Sequence, residues 1–128
     1  MKEKDRILKK IEDDNSRPVL FSESKGGSES QLRLLFKFVP DKCFKNINLI
    51  LNNTDERLID SEKINILWVH HFINQKEVQN LNNRNYVDKI DHFVFNSNWN
   101  FEQHQHKFNI PRKKSIVIKN AIEKIHYD

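Results

Sequence analysis

Short apolar runs separated by polar segments recur along the chain from residue 19 onwards. Five of these runs are predicted to be strands: 19–22, Ile47–Leu51, Ile64–Val69, His92–Phe95 and 115–118. Runs such as ILWV, FVF and IVI are apolar at consecutive positions, so both faces of each strand must be buried. This pattern is typical of a parallel sheet covered by helices on both sides, and it disfavours a half-exposed antiparallel sheet.

Helical patterns lie between the predicted strands. Apolar residues recur at helical spacing over 28–39, and Pro40 ends that helix. Two further helices are predicted over 75–89 and Asn98–Phe108. The alternation of strands and helices predicts an α/β protein: a three-layer, Rossmann-like domain with a central parallel sheet and right-handed crossovers.

The first 17 residues are charged at many positions. Ile7, Leu8 and Ile11 form one short apolar stripe at helical spacing, which predicts either a marginal helix or a frayed tail. Because isolated helices of this length are weak in water, we expect a solvated tail that adds little to the core. Docking of the segment on a partner is the alternative. The domain itself is expected to span residues 18–128.

The two glycines of the chain stand side by side, between the first predicted strand and the first helix of the domain. Ser28 and Gln31 have the spacing of a capping box, which places the helix N-terminus directly after the glycines. Free N–H groups and the positive end of the helix dipole would favour phosphate or carboxylate there. The candidate ligand-binding residues are Lys25, Gly26, Gly27 and Ser28. The loop is neither GxGxxG nor a P-loop, so a simple tight turn is an equally open interpretation.

Polar residues follow the other predicted strands. They are Asn52, Asn53 and Thr54, then His70, His71 and Asn74, then Asn96, Ser97, Asn98 and Trp99, and finally Lys119 and Asn120. Ligands of open α/β sheets bind beyond the carboxyl ends of the strands. Amides, hydroxyls and imidazoles suit a ligand rich in hydroxyls or phosphates. This edge is therefore the predicted site, and Asn120 is included among its ligand-binding residues.

The histidines give no sign of a metal site. His70 and His71 are adjacent at a strand end and should point to opposite faces, so they cannot both bind one metal ion. Either one enters the cleft while the other packs, or each is a packed core histidine. His104 and His106 are two apart on a predicted helix and do not share a face. No serine–histidine–aspartate order or paired acid/base carboxylates can be argued either.

Composition narrows the class of protein. The formal net charge is +4, which suits an anionic ligand, a nucleic acid or an acidic membrane surface, but the basic residues are scattered. The basic run at Arg112–Lys114 is more simply explained as a solvated loop, so nucleic-acid binding is the weaker hypothesis. Cys43 is the single cysteine, which excludes an internal disulfide or a cysteine-based zinc site. With no apolar signal core or spanning run, we expect a cytoplasmic protein.

Four motifs occur in one order along the chain: SKGGSE, WVHH, VFNSNW and VIKNAI. In that order and spacing they resemble the N-terminal half of GT-B fold glycosyltransferases, and glycosyltransferase family 4 in particular. Members often carry a glycine loop after the first strand, a histidine ending a middle strand, a V-S-N-W-like turn and a later V-I-x-N-G-I/V segment. The resemblance covers residues 19–122.

The resemblance implies an acceptor-side domain that lines the cleft, while a second domain holds most of a nucleotide-sugar donor. It places the glycine pair near the donor phosphates or the acceptor. It makes His70 or His71 a catalytic candidate close to the transferred sugar, and it makes Ser97 and Asn98 rim residues of the cleft. Family 4 enzymes generally retain anomeric configuration and need no dedicated metal, so the resemblance implies no cofactor beyond the donor substrate.

Two features depart from the family pattern. Ala121 stands where the last motif usually has glycine, which restricts the backbone there. The sequence also stops where a GT-B enzyme crosses into its second domain, so we expect little or no transferase activity from this domain alone. The expected partners are a nucleotide-sugar, an acceptor, and either the missing C-terminal domain or further copies of the chain. A non-catalytic binding or assembly module of the same fold is the alternative from another class.

Overall fold

The computed structural model of the protein describes residues 2–15 and 27–120. Its centre is a parallel sheet whose four described strands are hydrogen-bonded in chain order. The strands are β1 (Ile47–Leu51), β2 (Ile64–Val69), β3 (His92–Phe95) and β4 (Ser115–Val117). The predicted α/β fold with a parallel sheet is therefore confirmed. The strand predicted at 19–22 lies outside the described residues.

The α-helices that the structure describes flank this sheet. They are α1 (Glu3–Asn15), α2 (Gly27–Phe38), α3 (Arg84–Lys89) and α4 (Asn98–Phe108). The bounds of α4 are those predicted, and α2 begins one residue before the predicted start. The helix predicted over 75–89 is instead a 3₁₀ segment, Lys76–Asn82, followed by α3. Asn83 divides the two because its backbone is extended and its side chain caps α3.

Apolar side chains on the two faces of the sheet form two core clusters, which gives the domain three layers. On one face, Leu49 and Leu51 of β1 pack with Leu32 and Phe36 of α2. The cluster on the other face joins strand residues to α3 and α4, and its members include Leu67, Val69, Tyr86, Phe93, Phe95 and Phe108. Alternation of side chains along each strand explains why neighbouring apolar residues serve opposite layers. The result is a Rossmann-like arrangement.

The N-terminal segment belongs to the core. Ile7 and Ile11 of α1 are 1% and 4% exposed and pack in the α2-side cluster. Of the two alternatives, the helix is the one observed, and the expectation that this segment is solvated and adds little to the core is wrong for α1. Two backbone N–H groups at the start of the helix, those of Glu3 and Lys4, donate to the Asp41 carboxylate at 3.1 and 3.0 Å. This cap supplies the acceptor that an isolated helix would lack.

Basic residues of α1 reinforce its docking. The Arg6 guanidinium donates to the backbone carbonyl of Ile47 at 2.7 Å, and the Lys10 ammonium donates to Asn48 Oδ1 at 3.0 Å. Lys4 Nζ donates to the carbonyl of Phe36 at 2.6 Å. The charges that suggested solvation thus bind to the sheet and to α2. Their long aliphatic stems can lie on apolar surface while the charged ends find polar partners.

A buried amide pair fastens the amino ends of β1 and β2. Asn48 Nδ2 donates to Asn65 Oδ1 at 2.7 Å and to the Leu58 carbonyl at 2.8 Å. The backbone N–H of Asn65 donates to the Asp91 carboxylate at 2.7 Å. Both asparagines are almost fully buried. Because buried amides are costly unless bonded, this network fixes how the two strands align at this end of the sheet.

Candidate functional site

The predicted site lies where the parallel strands end. Leu51 pairs with Trp68, and Val69 pairs with Phe95, so the carboxyl ends of β1, β2 and β3 lie side by side. The segments that follow these strands therefore meet at one edge of the sheet, as expected for an open α/β domain. We call the residues 52–55, 70–75 and 96–101 the carboxyl edge.

Asn52 organises the first part of the carboxyl edge. Its side chain is fully buried, and its Oδ1 accepts hydrogen bonds from the backbone N–H groups of His70 and His71 at 2.5 and 3.1 Å. Its own N–H donates to the Trp68 carbonyl at 2.9 Å. Asn52 has φ 57°, a left-handed conformation that asparagine adopts more readily than most residues. One amide therefore holds the start of the histidine loop against β1.

Both predicted histidines lie just beyond the last residue of β2, and both are half-buried. The His70 ring packs edge-to-face on Trp68, with centroids 4.8 Å apart, so it lies on the side of the sheet that carries α1 and α2. The backbone carbonyl of His71 accepts a hydrogen bond from Asn100 Nδ2 at 3.2 Å, which ties that residue to α4. At the end of β2, His70 therefore contacts the layer of α1 and α2, and His71 contacts the layer that contains α4.

The start of α4 forms the second part of the carboxyl edge. Ser97 is the N-cap of the helix, and its Oγ accepts from the N–H of Asn100 at 3.0 Å. Asn98, the first helical residue, is exposed. The Asn100 side chain is nearly buried and donates to Asn96 Oδ1 as well as to the His71 carbonyl. Ser97 therefore shapes the edge through its cap, whereas Asn98 is open to a ligand.

Two aromatic rings join the ends of β2 and β3. Phe72 and Trp99 are stacked with centroids 5.2 Å apart and planes only 5° from parallel. Trp99 is nevertheless 60% exposed. One face of the indole lies against Phe72, and more than half of the residue's surface is open to solvent. We call this pair the aromatic platform.

His104 is a packed core histidine. It is fully buried between Phe95 and Phe108, and its Nδ1 lies 2.9 Å from the Asn100 carbonyl. Because a carbonyl only accepts, Nδ1 carries the proton. Burial lowers the pKa of His104, the bond to Asn100 opposes that shift, and the nearby Lys107 charge adds to it. The neutral ring supports the helix that carries Asn100.

The glycine loop is described only in part. Lys25 and Gly26 lie outside the described residues, whereas Gly27 and Ser28 belong to the first turn of α2. Gly27 does not adopt a positive φ. Among the residues that the structure describes, Asn52 and Asn109 are those with a left-handed backbone. Of these two, Asn52 lies at the carboxyl edge.

The structure brings together four of the predicted site residues, His70, His71, Ser97 and Asn98, at two neighbouring strand ends. Asn120 is exposed and follows β4, the strand next to β3. A cleft of about 600 Å³ opens beside the end of β1. Its polar lining includes Asn53, Asp55, Lys76, Glu77 and Asn80. The edge therefore combines amides and imidazoles with an adjacent polar cleft.

The basic run near β4 is largely engaged within the domain. Arg112 makes two hydrogen bonds of 3.1 Å to the Glu102 carboxylate and lies over the Phe101 ring. This pairing lowers the pKa of Glu102 and raises that of Arg112. Lys114 Nζ donates to the Ile90 carbonyl at 3.2 Å. Two of the three cations in Arg112–Lys114 thus have protein partners, which weakens the case for a nucleic-acid surface there.

Within residues 2–15 and 27–120, no three histidine, cysteine or acidic side chains cluster closely enough to hold a metal ion. No helix of the described chain has the length and apolar character needed to cross a bilayer. No protein-family model, curated protein or solved structure matches the sequence or the fold of this chain. The fold itself defines the class of protein: an α/β domain with a parallel, Rossmann-like sheet.

The sequence patterns predicted which residues lie at the carboxyl edge, but they did not predict the interactions that position them. In the sequence Asn52 is one of several polar residues after a strand. Its left-handed backbone and its bonds to the N–H groups of His70 and His71 distinguish it in the structure. Phe72 has the composition of an ordinary core residue. Asn100 follows the capping serine by three residues, the position whose N–H a cap receives, and that spacing is a usable signal. Its bond to His71, 29 residues away, carries no local signal.

Proposed function

We propose that this domain is the acceptor-side half of a GT-B glycosyltransferase related to family 4. Joined to a nucleotide-binding second domain, it would transfer a sugar from a nucleotide-sugar to an acceptor. One observation carries the proposal: Asn52 and Asn100 hold the paired histidines beside the N-terminus of α4 at the carboxyl edge. The order of the four motifs supports it independently.

In the proposed reaction the protein acts by hydrogen bonding and placement. An imidazole of His70 or His71 would bond a hydroxyl of the transferred sugar or an oxygen of the leaving phosphate. The exposed amide of Asn98 would bond an acceptor hydroxyl, and Asn120 would extend the rim. The N-terminus of α2, which begins at Gly27, would favour the negative charge of the donor phosphates.

Asn52 keeps the histidines in place during such a reaction. Its oxygen engages two successive N–H groups, so the loop cannot shift without losing both bonds. Placement of this kind matters because a small displacement of a reacting group costs a large part of the rate. A non-catalytic module of the same fold would bind the same ligands and would show no turnover with any second domain.

Titration of isotope-labelled protein with uridine diphosphate and with glucose 1-phosphate tests the proposal. We expect weak binding, in the range of roughly millimolar, because most donor contacts belong to the second domain. NMR shifts should move together at the Gly27 and Ser28 amides and at His70 or His71. Shifts confined to Arg112–Lys114 would contradict the proposal and favour a general anion-binding surface.

Turnover separates the enzyme from the binding module. In a complete enzyme that contains this domain, replacing His70 or His71 by alanine should lower kcat at least about a hundredfold if that ring acts in acid–base or phosphate contact. The melting temperature of the same variant should change little. An equal loss of activity and stability would instead identify the histidine as a packing residue.

A further inference from the structure

The aromatic platform is an unusual use of a large apolar ring. Tryptophan buries much of its surface in most folds, yet Trp99 is 60% exposed. It does not lie loosely on the surface, since its ring is stacked flat on Phe72. An exposed indole with one face supported and one face open presents a rigid, apolar plane to solvent.

The backbone on both sides of the platform is fixed by the asparagines of the carboxyl edge. Phe72 follows His71, whose N–H bonds Asn52 and whose carbonyl bonds Asn100. Trp99 lies in the first turn of α4, which Ser97 caps. The two rings are therefore held on supported backbone, so a ligand would meet a preformed surface and lose little affinity to ordering of the protein.

The two segments that carry the platform have no charged side chain of their own, and the charged groups that reach them have protein partners. Lys107 Nζ donates to the Ile73 carbonyl at 2.9 Å, and Arg112, which lies over the Phe101 ring, pairs with Glu102. Residues 70–75 read HHFINQ and residues 96–101 read NSNWNF, so neither segment contains lysine, arginine, aspartate or glutamate. Recognition of a phosphate normally uses arginine, lysine or a cluster of N–H donors. A neutral hydroxylated ligand needs only hydrogen-bonding amides and imidazoles, which these segments supply.

We propose that the open face of Trp99 stacks on the apolar face of a neutral pyranose ring, and that the acceptor is therefore an uncharged carbohydrate. The C–H bonds on one face of such a ring carry partial positive charge and suit the negative face of an indole. The exposed Asn98 amide next to Trp99 is placed to bond the ring's hydroxyls. This inference rests on the proposed function, which it deepens by naming the acceptor class.

The two tryptophans of the chain allow a direct test. Trp68→Phe leaves Trp99 as the only indole, so its fluorescence reports on the platform alone. Maltose, cellobiose and lactose are the neutral probes, and uridine monophosphate is the charged aromatic one. The inference predicts a saturable change in Trp99 emission with at least one disaccharide. No saturable change with any disaccharide, or a change with uridine monophosphate alone, would overturn it.

Variants of the platform test the stacking itself. With sugar binding followed by amide NMR shifts, Trp99→Leu and Phe72→Leu should each weaken affinity by about tenfold. Phe38→Leu, which removes an exposed aromatic ring outside the carboxyl edge, is the matched control and should leave affinity unchanged. Trp99→Phe should restore part of the affinity lost in Trp99→Leu. Equal affinity in Trp99→Leu and the control would overturn the inference.

The failure of this inference differs from the failure of the proposed function. If uridine diphosphate shifts His70 or His71 while no sugar affects Trp99, the acceptor assignment is wrong and the transferase proposal stands. If sugars bind Trp99 while the histidines respond to neither nucleotide nor sugar phosphate, the platform stands and the donor-side role of the histidines is wrong.

Discussion

The two ends of the parallel sheet both use buried asparagines, but they use them differently. At the amino ends of β1 and β2, Asn48 and Asn65 bond each other and nearby backbone, so their polar groups face inward. At the carboxyl ends, Asn52 and Asn100 bond the backbone of a loop that carries two histidines and an exposed aromatic platform. The first network fastens strands together, and the second positions groups that face solvent.

This difference teaches where function can reside in a small domain. The amino end also receives α1, through Arg6 and Lys10. Most polar groups there are already committed to the fold, so a substitution should change stability. At the carboxyl edge the same kinds of bonds support exposed groups, so a substitution should change recognition more than stability.

The largest expected effect is at the amino end. Asn65→Ala removes the side chain that bonds Asn48, the N–H of Asp60 and the Asp60 carbonyl. Because it leaves buried partners unsatisfied, we expect a loss of about 3–4 kcal/mol in the free energy of unfolding, measured in urea. The exposed Asn46 gives the control Asn46→Ala, with an effect within about 0.5 kcal/mol. A loss below about 1 kcal/mol in Asn65→Ala would contradict the structural role.

Docking of α1 is the next test of the comparison. Ile7→Ala opens a cavity between α1 and the sheet and should cost about 2–4 kcal/mol. Ile64→Ala, at a position that is 44% exposed, should cost less than about 1 kcal/mol. Urea unfolding of both variants decides the point. Equal small losses would restore the earlier expectation of a solvated N-terminal tail.

At the carboxyl edge, replacement of Asn52 separates its backbone role from its side-chain role. Asn52→Gly keeps access to the left-handed conformation and loses the amide, and Asn52→Ala loses both. We expect alanine to be less stable than glycine by about 1–2 kcal/mol in urea unfolding. Hydrogen exchange at the N–H groups of His70 and His71 should quicken in both variants and stay slow in Asn52→Asp. Unchanged exchange in Asn52→Gly would contradict the claim that the Asn52 side chain holds the N–H groups of His70 and His71.

The mildest expected effect is that of acid, through His104, which bonds the Asn100 carbonyl within α4. The pKa of His104 is lowered in the fold, so the unfolded chain binds more protons and stability rises with pH. Stability should therefore be complete above the unfolded pKa of about 6.5 and should fall as the pH drops from there towards the folded pKa. Urea unfolding between pH 7 and pH 5 measures this.

The matched control for the acid effect is His106, which is exposed on the same helix. Replacing His106 by glutamine should leave the pH dependence in place, whereas His104→Gln should flatten it. If both variants kept the full dependence on pH, another group would be responsible for the acid sensitivity.

Local patterns predicted the sheet and α4 well because their signals lie within a few residues. Successive side chains of the FVF segment in β3 point to opposite faces of the sheet. Ser97 is the N-cap directly before the first residue of α4. The docking of α1 could not be predicted in this way, since the Asp41 cap and the Ile47 carbonyl lie about forty residues from their partners. Propensity underestimates a helix whose stability comes from tertiary packing.

The site shows the same limit. The sequence pattern placed His70 and His71 at the end of a predicted strand and Ser97 directly before the predicted helix Asn98–Phe108. It could not join them, since the Asn100–His71 bond and the Phe72–Trp99 stack depend on the pairing of β2 with β3. The residues of the carboxyl edge could therefore be predicted from local sequence patterns. The contacts between them depend on how the strands pair in the sheet.

The most direct measurement of the central claim is an amide NMR titration of the labelled domain with uridine diphosphate glucose and with a neutral disaccharide. The account predicts shifts at residues 70–75 and 96–101 of the carboxyl edge, with the amino end unchanged. The alternative location is the cleft of about 470 Å³ at the amino end, lined in part by Lys63, Lys89 and Asp91. Shifts centred on that cleft, with the carboxyl edge silent, would contradict the claim that ligands bind where the strands end.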